Sequence, residues 1–250
     1  IPGFDDTDIL TNETVFSLTE LPRRMVVIGG GPIGCELAQV FAQLGSHVTQ
    51  LERSERVLPR EEFDASALVG DALQRDGVKI CTKTQIVGLS QNGNHKVVSI
   101  KDKDGEHKIS CDAILSAVGR APNVKGMGLE AAGIQYDLKT GITVNDKLQT
   151  TNHNVYAAGD VASRYQFTHA ADFMARVVIQ NALFLGRQKV SSLLIPWATY
   201  TSPEVAHVGM YPHEAESRSI RTDCYEVRFS DVDRSILESE TEGFVRVIVP

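Results

Sequence analysis

Three glycines in the first part of the chain, Gly29, Gly31 and Gly34, follow the spacing G-x-G-x-x-G. The first glycine of this pattern permits a tight turn, the second lets the backbone approach a pyrophosphate, and the third lets a helix pack closely on a strand. The helix that such a loop opens directs free N–H groups and a partial positive charge at the phosphates. We therefore predict that one continuous loop binds a dinucleotide: Gly29, Gly30, Gly31, Pro32, Ile33 and Gly34.

An acidic residue, Glu52, ends the next apolar stretch, at the spacing of about 20 residues that this motif uses. A carboxylate there accepts hydrogen bonds from both hydroxyls of a ribose, and it repels a 2′-phosphate, which favours NADH. Arg53 and Arg56 follow at once, and a guanidinium that binds phosphate would favour NADPH instead. We expect NADH, with NADPH as the alternative.

The elements that must position this loop alternate between strand and helix. Apolar runs at residues 25–28, 47–51 and 78–81 are typical of buried parallel strands. Helical periodicity fills the two intervals and ends at Gly45 and Gly77. Each predicted helix carries its apolar residues on one face: Ile33, Leu37, Val40, Phe41 and Leu44 in the first, and Phe63, Ala67, Leu68 and Ala72 in the second. This alternation predicts a parallel α/β sheet.

The pattern then changes to short alternating strands. Asn92-Gly93 and Asp104-Gly105 are hairpin signals, so we predict an antiparallel meander inserted before the next parallel strand, at residues 113–118. The remaining predicted elements are two short strands within residues 141–161, a long helix from Thr168 to Leu185, and strands at 198–202, 205–210, 224–229 and 244–249.

Composition excludes several classes of protein. The 25 basic and 32 acidic residues give a net charge of −7, which argues against nucleic-acid binding. Apolar runs stay well below the length of about 18 residues that a membrane-spanning helix needs. The four cysteines, Cys35, Cys81, Cys111 and Cys224, lie far apart and predict neither a zinc site nor a disulfide framework. We expect a reducing compartment, with the cytoplasm as the default and an organelle as the alternative.

A second string of interest runs from Thr151 to Asp160. It combines a short predicted strand, Gly159, which permits close approach, and an acid at the carboxyl end of the strand. Ligands of α/β sheets bind at that end. The string therefore indicates a polar contact with a ligand.

Four strings together resemble the flavoprotein pyridine nucleotide–disulfide oxidoreductases, the class I family of dihydrolipoamide dehydrogenase, glutathione reductase and mercuric reductase. They occur in the order of that family and lie at residues 27–36, 117–123, 151–160 and 200–209. Within this family, the overall sequence of the chain most resembles those of the mercuric reductase-like enzymes. The resemblance covers essentially the whole chain.

The resemblance implies roles for residues around two cofactors. Gly29, Gly31 and Gly34 would hold the pyrophosphate of NAD(P)H and Glu52 its adenosine ribose, while Ile86 and Gly119 would line the same cofactor. On the FAD side, Asp160 would bond the ribityl chain. Thr168 would begin a helix whose positive end faces the flavin pyrimidine and stabilises the reduced anionic form.

The resemblance also implies a catalytic role for Glu36, which lies two residues after the last glycine of the loop. In relatives an acid there pairs with a lysine on the flavin side and lies beside the nicotinamide. It would help to orient hydride transfer from C4 of the nicotinamide to N5 of the flavin. The alternative is that Glu36 is an ordinary carboxylate in the first turns of a helix, without a catalytic role.

The family's first FAD motif, its close pair of redox cysteines and its C-terminal His-Glu pair do not occur in these 250 residues. The sequence therefore looks like a fragment cut at both ends. We expect an α/β fold with four parts: a connector over residues 1–22, a Rossmann-like NAD(P)-binding domain with an inserted meander over 23–143, a partial FAD domain over 144–193, and part of an α+β dimerisation domain over 194–250.

The function expected is that of an FAD-dependent NAD(P)H oxidoreductase acting as a homodimer. Hydride would pass from nicotinamide to flavin, and electrons would continue to a redox disulfide and then to a small-molecule or disulfide substrate. One alternative is a flavoprotein without the disulfide, such as a transhydrogenase or an NADH-dependent reductase. Another is a nicotinamide-binding module without catalysis.

Overall fold

A computed structural model describes residues 1–184 and 186–250. Its helices are α1 (Pro32–Gln43), α2 (Phe63–Arg75), α3 (Thr168–Leu183), α4 (Pro212–Ser217) and α5 (Asp233–Leu237). Its first nine strands are β1 (Arg24–Ile28), β2 (His47–Leu51), β3 (Lys79–Cys81), β4 (Gln85–Asn92), β5 (His95–Asp102), β6 (Gly105–Cys111), β7 (Ala113–Ser116), β8 (Tyr136–Asp137) and β9 (Gly141–Ile142). The last four are β10 (Trp197–Thr199), β11 (Val205–His207), β12 (Asp223–Arg228) and β13 (Phe244–Val249).

The backbone divides into two compact units. The first unit contains residues 1–119, 198–206 and 210–250, and the second contains residues 120–197 and 207–209. Among the helices of the described residues, none is long and apolar enough to cross a membrane.

The first unit is built on a parallel sheet with the strand order β3-β2-β1-β7. Four consecutive residues of β1, from Met25 to Ile28, are buried, because the sheet is covered on both faces. In register, Ile28 lies opposite Leu51 of β2 and Ser116 of β7. The carboxyl ends of these three strands therefore meet at one edge, as the predicted α/β class requires.

The two helices of this unit occupy the predicted segments, but their buried faces match the predicted ones only in part. Phe41 and Ala72 are buried as predicted, and Leu37 packs against the core. In α1 the buried residues are Gly34, Cys35, Ala38, Gln39 and Phe41, and in α2 they are Ser66, Val69, Ala72 and Leu73. Phe63 is 70% exposed, and Ile33, Val40 and Leu44 are also exposed. At Gly34, Cys35 and Ala38 helix α1 packs through small residues. Its apolar side chains at Ile33, Val40 and Leu44 therefore remain outside that contact.

The predicted meander is present as the antiparallel sheet β4-β5-β6. Gly93 and Gly105 at its turns have positive φ values of 58° and 117°, which glycine adopts without strain. The meander buries Leu89 and Val98 against the parallel sheet, in one cluster with Ile114. The parallel strand that follows ends at Ser116, two residues earlier than predicted.

Residues 1–22, predicted as a connector, are part of the first unit and bond to its sheets. The Leu10 amide donates to the Ile114 carbonyl at 2.7 Å, and the Leu10 carbonyl accepts from the Ser116 amide at 2.8 Å. The Pro2 carbonyl accepts from the Leu89 amide at 2.9 Å. This segment thus adds a short parallel bridge beyond β7.

The second unit contains the β8-β9 ladder, two isolated bridges and helix α3. Its two apolar clusters centre on Val124 with Ile142, and on Met174 with Leu148. Helix α3 starts at Thr168 as predicted and ends at Leu183. The predicted end at Leu185 lies outside the described residues.

The β12-β13 hairpin carries an apolar face, and Arg246 on β13 connects this hairpin to the start of α2. Tyr225, Val227, Val245 and Val247 are each more than half exposed on that face. The Arg246 side chain, which is 16% exposed, contacts three carboxylates: Glu62 at 2.8 Å, and Asp64 and Glu226 at 2.5 Å. Hydrogen bonding to Arg246 lowers the pKa of the Asp64 carboxyl.

We expect Arg246→Gln to lower the free energy of unfolding by about 1.5–3 kcal/mol, the range for hydrogen bonds to charged groups. The measurement is urea unfolding at pH 7. Arg228→Gln is the control, because Arg228 pairs with Glu226 at 2.8 Å but is half exposed, so that its loss should change the free energy by about 0.5 kcal/mol or less. Equal effects of the two changes would contradict the special role of Arg246.

The same contact makes stability depend on pH. The Asp64 pKa is lowered from an ordinary 3.8 in the folded chain, so its ion pair stabilises the fold above that pH and the stabilisation is lost as pH falls through the folded pKa. We expect the advantage of the wild type over Asp64→Asn to be constant above pH 5 and to shrink below about pH 4. An advantage that grew on acidification would have the wrong sign.

Candidate nucleotide-binding site

The glycine loop leaves the carboxyl end of β1, and two of its glycines are required by packing. A Cβ on Gly29, whose φ is 114°, would lie 2.4 Å from the Ala117 carbonyl oxygen. A Cβ on Gly34 would lie 2.1 Å from the Gly29 carbonyl oxygen. These contacts agree with the roles predicted for the first and third glycines, namely the tight turn and the close approach of helix to strand.

The middle glycine of the motif faces open space. A Cβ on Gly31 would have no heavy atom within 4 Å. Gly31 is also the N-cap of α1, with no side-chain capping bond, and Pro32 fills the first helical position, where no N–H is needed. The next amides of the first turn, including that of Ile33, have no carbonyl partner within the helix. An anion of the size of a pyrophosphate fits this combination of open space and free donors.

The Glu52 carboxylate lies beside the loop and is held by backbone amides. Its Oε2 accepts from the Gly30 amide at 2.6 Å, and its Oε1 accepts from the Ser54 amide at 2.6 Å. A Cβ on Gly30 would lie 2.9 Å from Oε2, so glycine at this position makes room for the acid. Each oxygen keeps a further lone pair, and a ribose diol therefore fits here.

The two arginines after Glu52 differ in their surroundings. Arg56 donates through Nη2 to the carbonyls of Pro59 and Glu61, at 3.3 and 3.2 Å. Arg53 is exposed. Because the guanidinium of Arg56 turns toward its own loop, Arg53 is the better placed of the two for a ligand phosphate.

The two outer residues of the predicted set lie in the same unit. Gly119 has a φ of 124°, and a Cβ added to it would have no heavy atom within 4 Å. Ile86 lies in β4 and packs at the edge of the cluster that contains Leu51 and Val98. Leu51, the residue before Glu52, belongs to the cluster against which Ile86 packs.

Helix α1 presents Glu36 and Gln39 to the backbone of a later segment. The Glu36 Oε1 accepts from the Tyr200 amide at 2.8 Å. Gln39, which is buried, accepts from the Ser202 amide at 2.8 Å and donates to the Ser202 carbonyl at 2.9 Å. Neither Gln39 nor Tyr200 was singled out by sequence reasoning, although the i, i+3 spacing of Glu36 and Gln39 on one helix was a usable signal.

Two cysteines of the first unit, Cys35 and Cys111, are buried packing residues. Burial raises the pKa of Cys35 to about 12 and that of Cys111 to about 11, so both remain thiols at neutral pH. Cys81 is partly buried, and Cys224 is exposed on β12. Within residues 1–184 and 186–250, no cluster of His, Cys, Asp and Glu side chains is suited to a metal ion.

The second unit brings Asp160 close to the start of α3. A short 3₁₀ turn spans Gly159–Val161, and Gly159 has a φ of 77°. The Asp160 carboxylate forms an ion pair with Arg120, a residue to which the sequence reasoning gave no role. Thr168, the first residue of α3, is exposed, and the preceding Phe167 makes no side-chain capping bond. The uncapped helix end and the acid are suitable for contacts with a polar ligand.

The comparisons with known proteins agree with this picture. The family model described as pyridine nucleotide-disulphide oxidoreductase matches residues 1–175. The model for the dimerisation domain of the same family matches residues 195–250.

Individual relatives are longer than this chain. A mercuric reductase of Staphylococcus aureus is 33% identical over 249 residues, which are 100% of this chain and 46% of that protein. A dihydrolipoyl dehydrogenase of Bacillus subtilis (strain 168) is 36% identical over 248 residues, covering 98% of this chain and 53% of the relative. The chain thus spans about half the length of the curated relatives that it matches.

A solved structure, the Cu(II) complex of the HOCl-induced flavoprotein disulfide reductase RclA from Escherichia coli, superposes with a TM-score of 0.90. It is 29% identical, and the match covers 100% of this chain and 57% of that one. This likeness extends the family relationship to the fold.

The glycine loop allows a direct test. We expect Gly31→Ala to leave thermal stability unchanged but to weaken NADH binding about tenfold, because its Cβ enters the open space. Gly30→Ala should weaken NADH binding similarly by displacing Glu52, whose bonds are charge-assisted. Gly34→Ala should destabilise the fold by about 3 kcal/mol through its backbone clash.

The measurements are calorimetric NADH titration and thermal unfolding. Gly70→Ala is the control: Gly70 lies within α2, and its Cβ would be 3.7 Å from a Val57 methyl group, an ordinary contact. We expect it to stabilise the fold by about 0.4–1 kcal/mol and to leave binding unchanged. Unaltered NADH affinity in Gly31→Ala would contradict the assignment of the loop.

Proposed function

This chain belongs to the pyridine nucleotide-disulphide oxidoreductase family, and on that premise we propose that it is part of an FAD-dependent NAD(P)H oxidoreductase. The observation that carries the proposal is the glycine loop with its bound acid. The loop leaves space at Gly31, presents the free amides of α1, and holds Glu52 in place by two backbone hydrogen bonds. Donors for phosphates and an acceptor for a ribose are the groups that a nicotinamide dinucleotide needs.

The loop residues 29–34 would hold the pyrophosphate of the nicotinamide cofactor. Gly119 and Ile86 would line its path. NADH is the cofactor that Glu52 favours, because an added 2′-phosphate would lie next to its carboxylate. Arg53 is the residue that would have to compensate if the protein used NADPH.

On the flavin side, Asp160 would accept hydrogen bonds from the ribityl hydroxyls of FAD, and the φ of 77° at Gly159 allows the turn that presents it. The uncapped start of α3 at Thr168 would direct free amides at the flavin pyrimidine. Bound together, the two cofactors supply hydride transfer from nicotinamide to flavin. The contribution of these residues is to bind, to orient and to place partial positive charge where negative charge develops.

The electron acceptor after the flavin would be a disulfide formed by cysteines other than the four described here. Cys35 and Cys111 are buried and keep their protons, so they are unsuited to thiol–disulfide exchange. The alternative function is that of a flavoprotein reductase without a disulfide. The final substrate would be a disulfide, dihydrolipoamide or a soft metal ion.

We also propose a homodimer that forms through residues 194–250. The support is the match of the dimerisation domain over residues 195–250 and the apolar face of β12 and β13. An exposed cluster of valines and a tyrosine is typical of a surface that another subunit or element covers. The cytoplasm remains the expected compartment.

The experiment that tests the proposed function is an absorption spectrum of the full-length protein before and after anaerobic NADH. We expect flavin bands that bleach, with a charge-transfer shoulder at longer wavelength from a thiolate beside the flavin. NADPH at equal concentration should bleach the bands more slowly. Bleaching without the shoulder would favour the flavoprotein without a disulfide, and a protein with no flavin would exclude both functions.

Glu36 allows a test of its proposed role in hydride transfer. We expect Glu36→Gln to retain the bond from the Tyr200 amide, since the side-chain carbonyl still accepts, and to remove only the charge. The rate of flavin reduction by NADH should fall about tenfold, which corresponds to about 1.4 kcal/mol, while thermal stability stays constant.

Stopped-flow reduction of the full-length protein measures this effect. Glu36→Ala, which removes the bond as well, should lower the rate and the stability together. If Glu36→Gln reduced flavin at the wild-type rate while Glu36→Ala was destabilised, Glu36 would be a structural residue only.

A further inference from the structure

Resting on the proposed function, we propose that Arg120 is a positioning residue for FAD that orients Asp160 and the start of α3 together. The segment 117–123 helped to identify the family, yet only Gly119 in it received a role. Arg120 follows directly, and its guanidinium reaches the two parts of the second unit that would face the flavin.

The contacts of Arg120 are directional. Its Nη2 forms an ion pair with Oδ2 of Asp160, and its Nη1 donates to the Gln166 carbonyl at 2.8 Å. Gln166 lies two residues before Thr168, the first residue of α3. The planar fork of a guanidinium fixes the angle between its two acceptors. One side chain therefore sets the position of the acid relative to the uncapped helix end.

The segments that carry Arg120 and Asp160 are packed within the second unit. Val124, four residues after Arg120, is buried in one cluster with Ile142 and Val161. The turn that carries Asp160 is confined on both sides. A Cβ on Gly141 would lie 2.1 Å from the Val161 carbonyl oxygen, and a Cβ on Gly159 would lie 3.1 Å from the Ala171 methyl carbon.

The ion pair is suited to orientation rather than to stability. The side chains of Arg120 and Asp160 are 44% and 42% exposed. Exposed ion pairs contribute little to folding. Because Arg120 binds Oδ2, the Oδ1 of Asp160 is left to accept from a ligand hydroxyl. Without Arg120, the carboxylate would be free to rotate, and part of the binding free energy would be spent on fixing it.

The test is a double-mutant cycle on FAD affinity in the full-length protein. FAD is removed, and its rebinding is followed by flavin fluorescence. We expect Arg120→Gln and Asp160→Asn each to weaken FAD binding about tenfold, the effect of one charge-assisted hydrogen bond. The double variant should bind no more weakly than the weaker single variant, because the two residues act as a unit.

Two further variants separate positioning from structure. Arg120→Lys should recover part of the affinity, since an ammonium reaches one acceptor but does not reproduce the fork. Arg176→Gln is the control, because Arg176 forms an exposed ion pair with Asp172 on α3 itself, at 2.9 Å. We expect wild-type FAD affinity in this control and the same melting temperature for all apoproteins within about 2 °C.

The outcomes distinguish this inference from the proposed function. A wild-type protein that binds no FAD would overturn both. A wild-type protein that binds FAD, together with Arg120→Gln of equal affinity, would overturn the role of Arg120 alone. The role of Arg120 would also be overturned if the loss of FAD affinity in the double variant equalled the product of the two single losses. Arg120 would then act independently of Asp160.

Discussion

The contact between Gly34 and the Gly29 carbonyl oxygen is the constraint on which the nucleotide site depends. A Cβ at position 34 would lie 2.1 Å from that oxygen, so α1 lies against the end of β1 as closely as a glycine allows. This approach brings the first amides of α1 beside the end of the sheet, next to Glu52. It also explains the buried face of the helix, because Cys35 and Ala38 are small enough to follow the same close contact.

Much of the first unit could be predicted from the sequence, because local patterns determine it. The alternation of strands and helices and the antiparallel meander follow from apolar periodicity and hairpin turns. The buried faces of the helices could be predicted only in part, because periodicity ranks Val40 and Leu44 above Gly34 and Ala38. Which face is buried depends on how close two backbones come, and that is a tertiary property.

The candidate site likewise has one part that the sequence predicts and another part that it does not predict. Glycines and an acid at fixed spacing predicted the loop and Glu52, since these residues are neighbours through one strand–helix–strand unit. The contacts of Glu36 with Tyr200 and of Arg120 with Asp160 join residues far apart in the sequence. No local pattern encodes such pairs. Arginine binds carboxylates in both units of a chain whose net charge is −7: Arg246 contacts three of them, and Arg120 contacts Asp160 and a backbone carbonyl.

The exposure of Cys224 has a practical consequence. Cys35 and Cys111 are buried thiols and Cys81 is partly covered, so a maleimide dye reacts first at position 224 on β12. Within these 250 residues Cys224 thus provides a site for selective labelling without mutagenesis. If two labelled copies associate, energy transfer between their dyes would report the distance between the two β12-β13 hairpins.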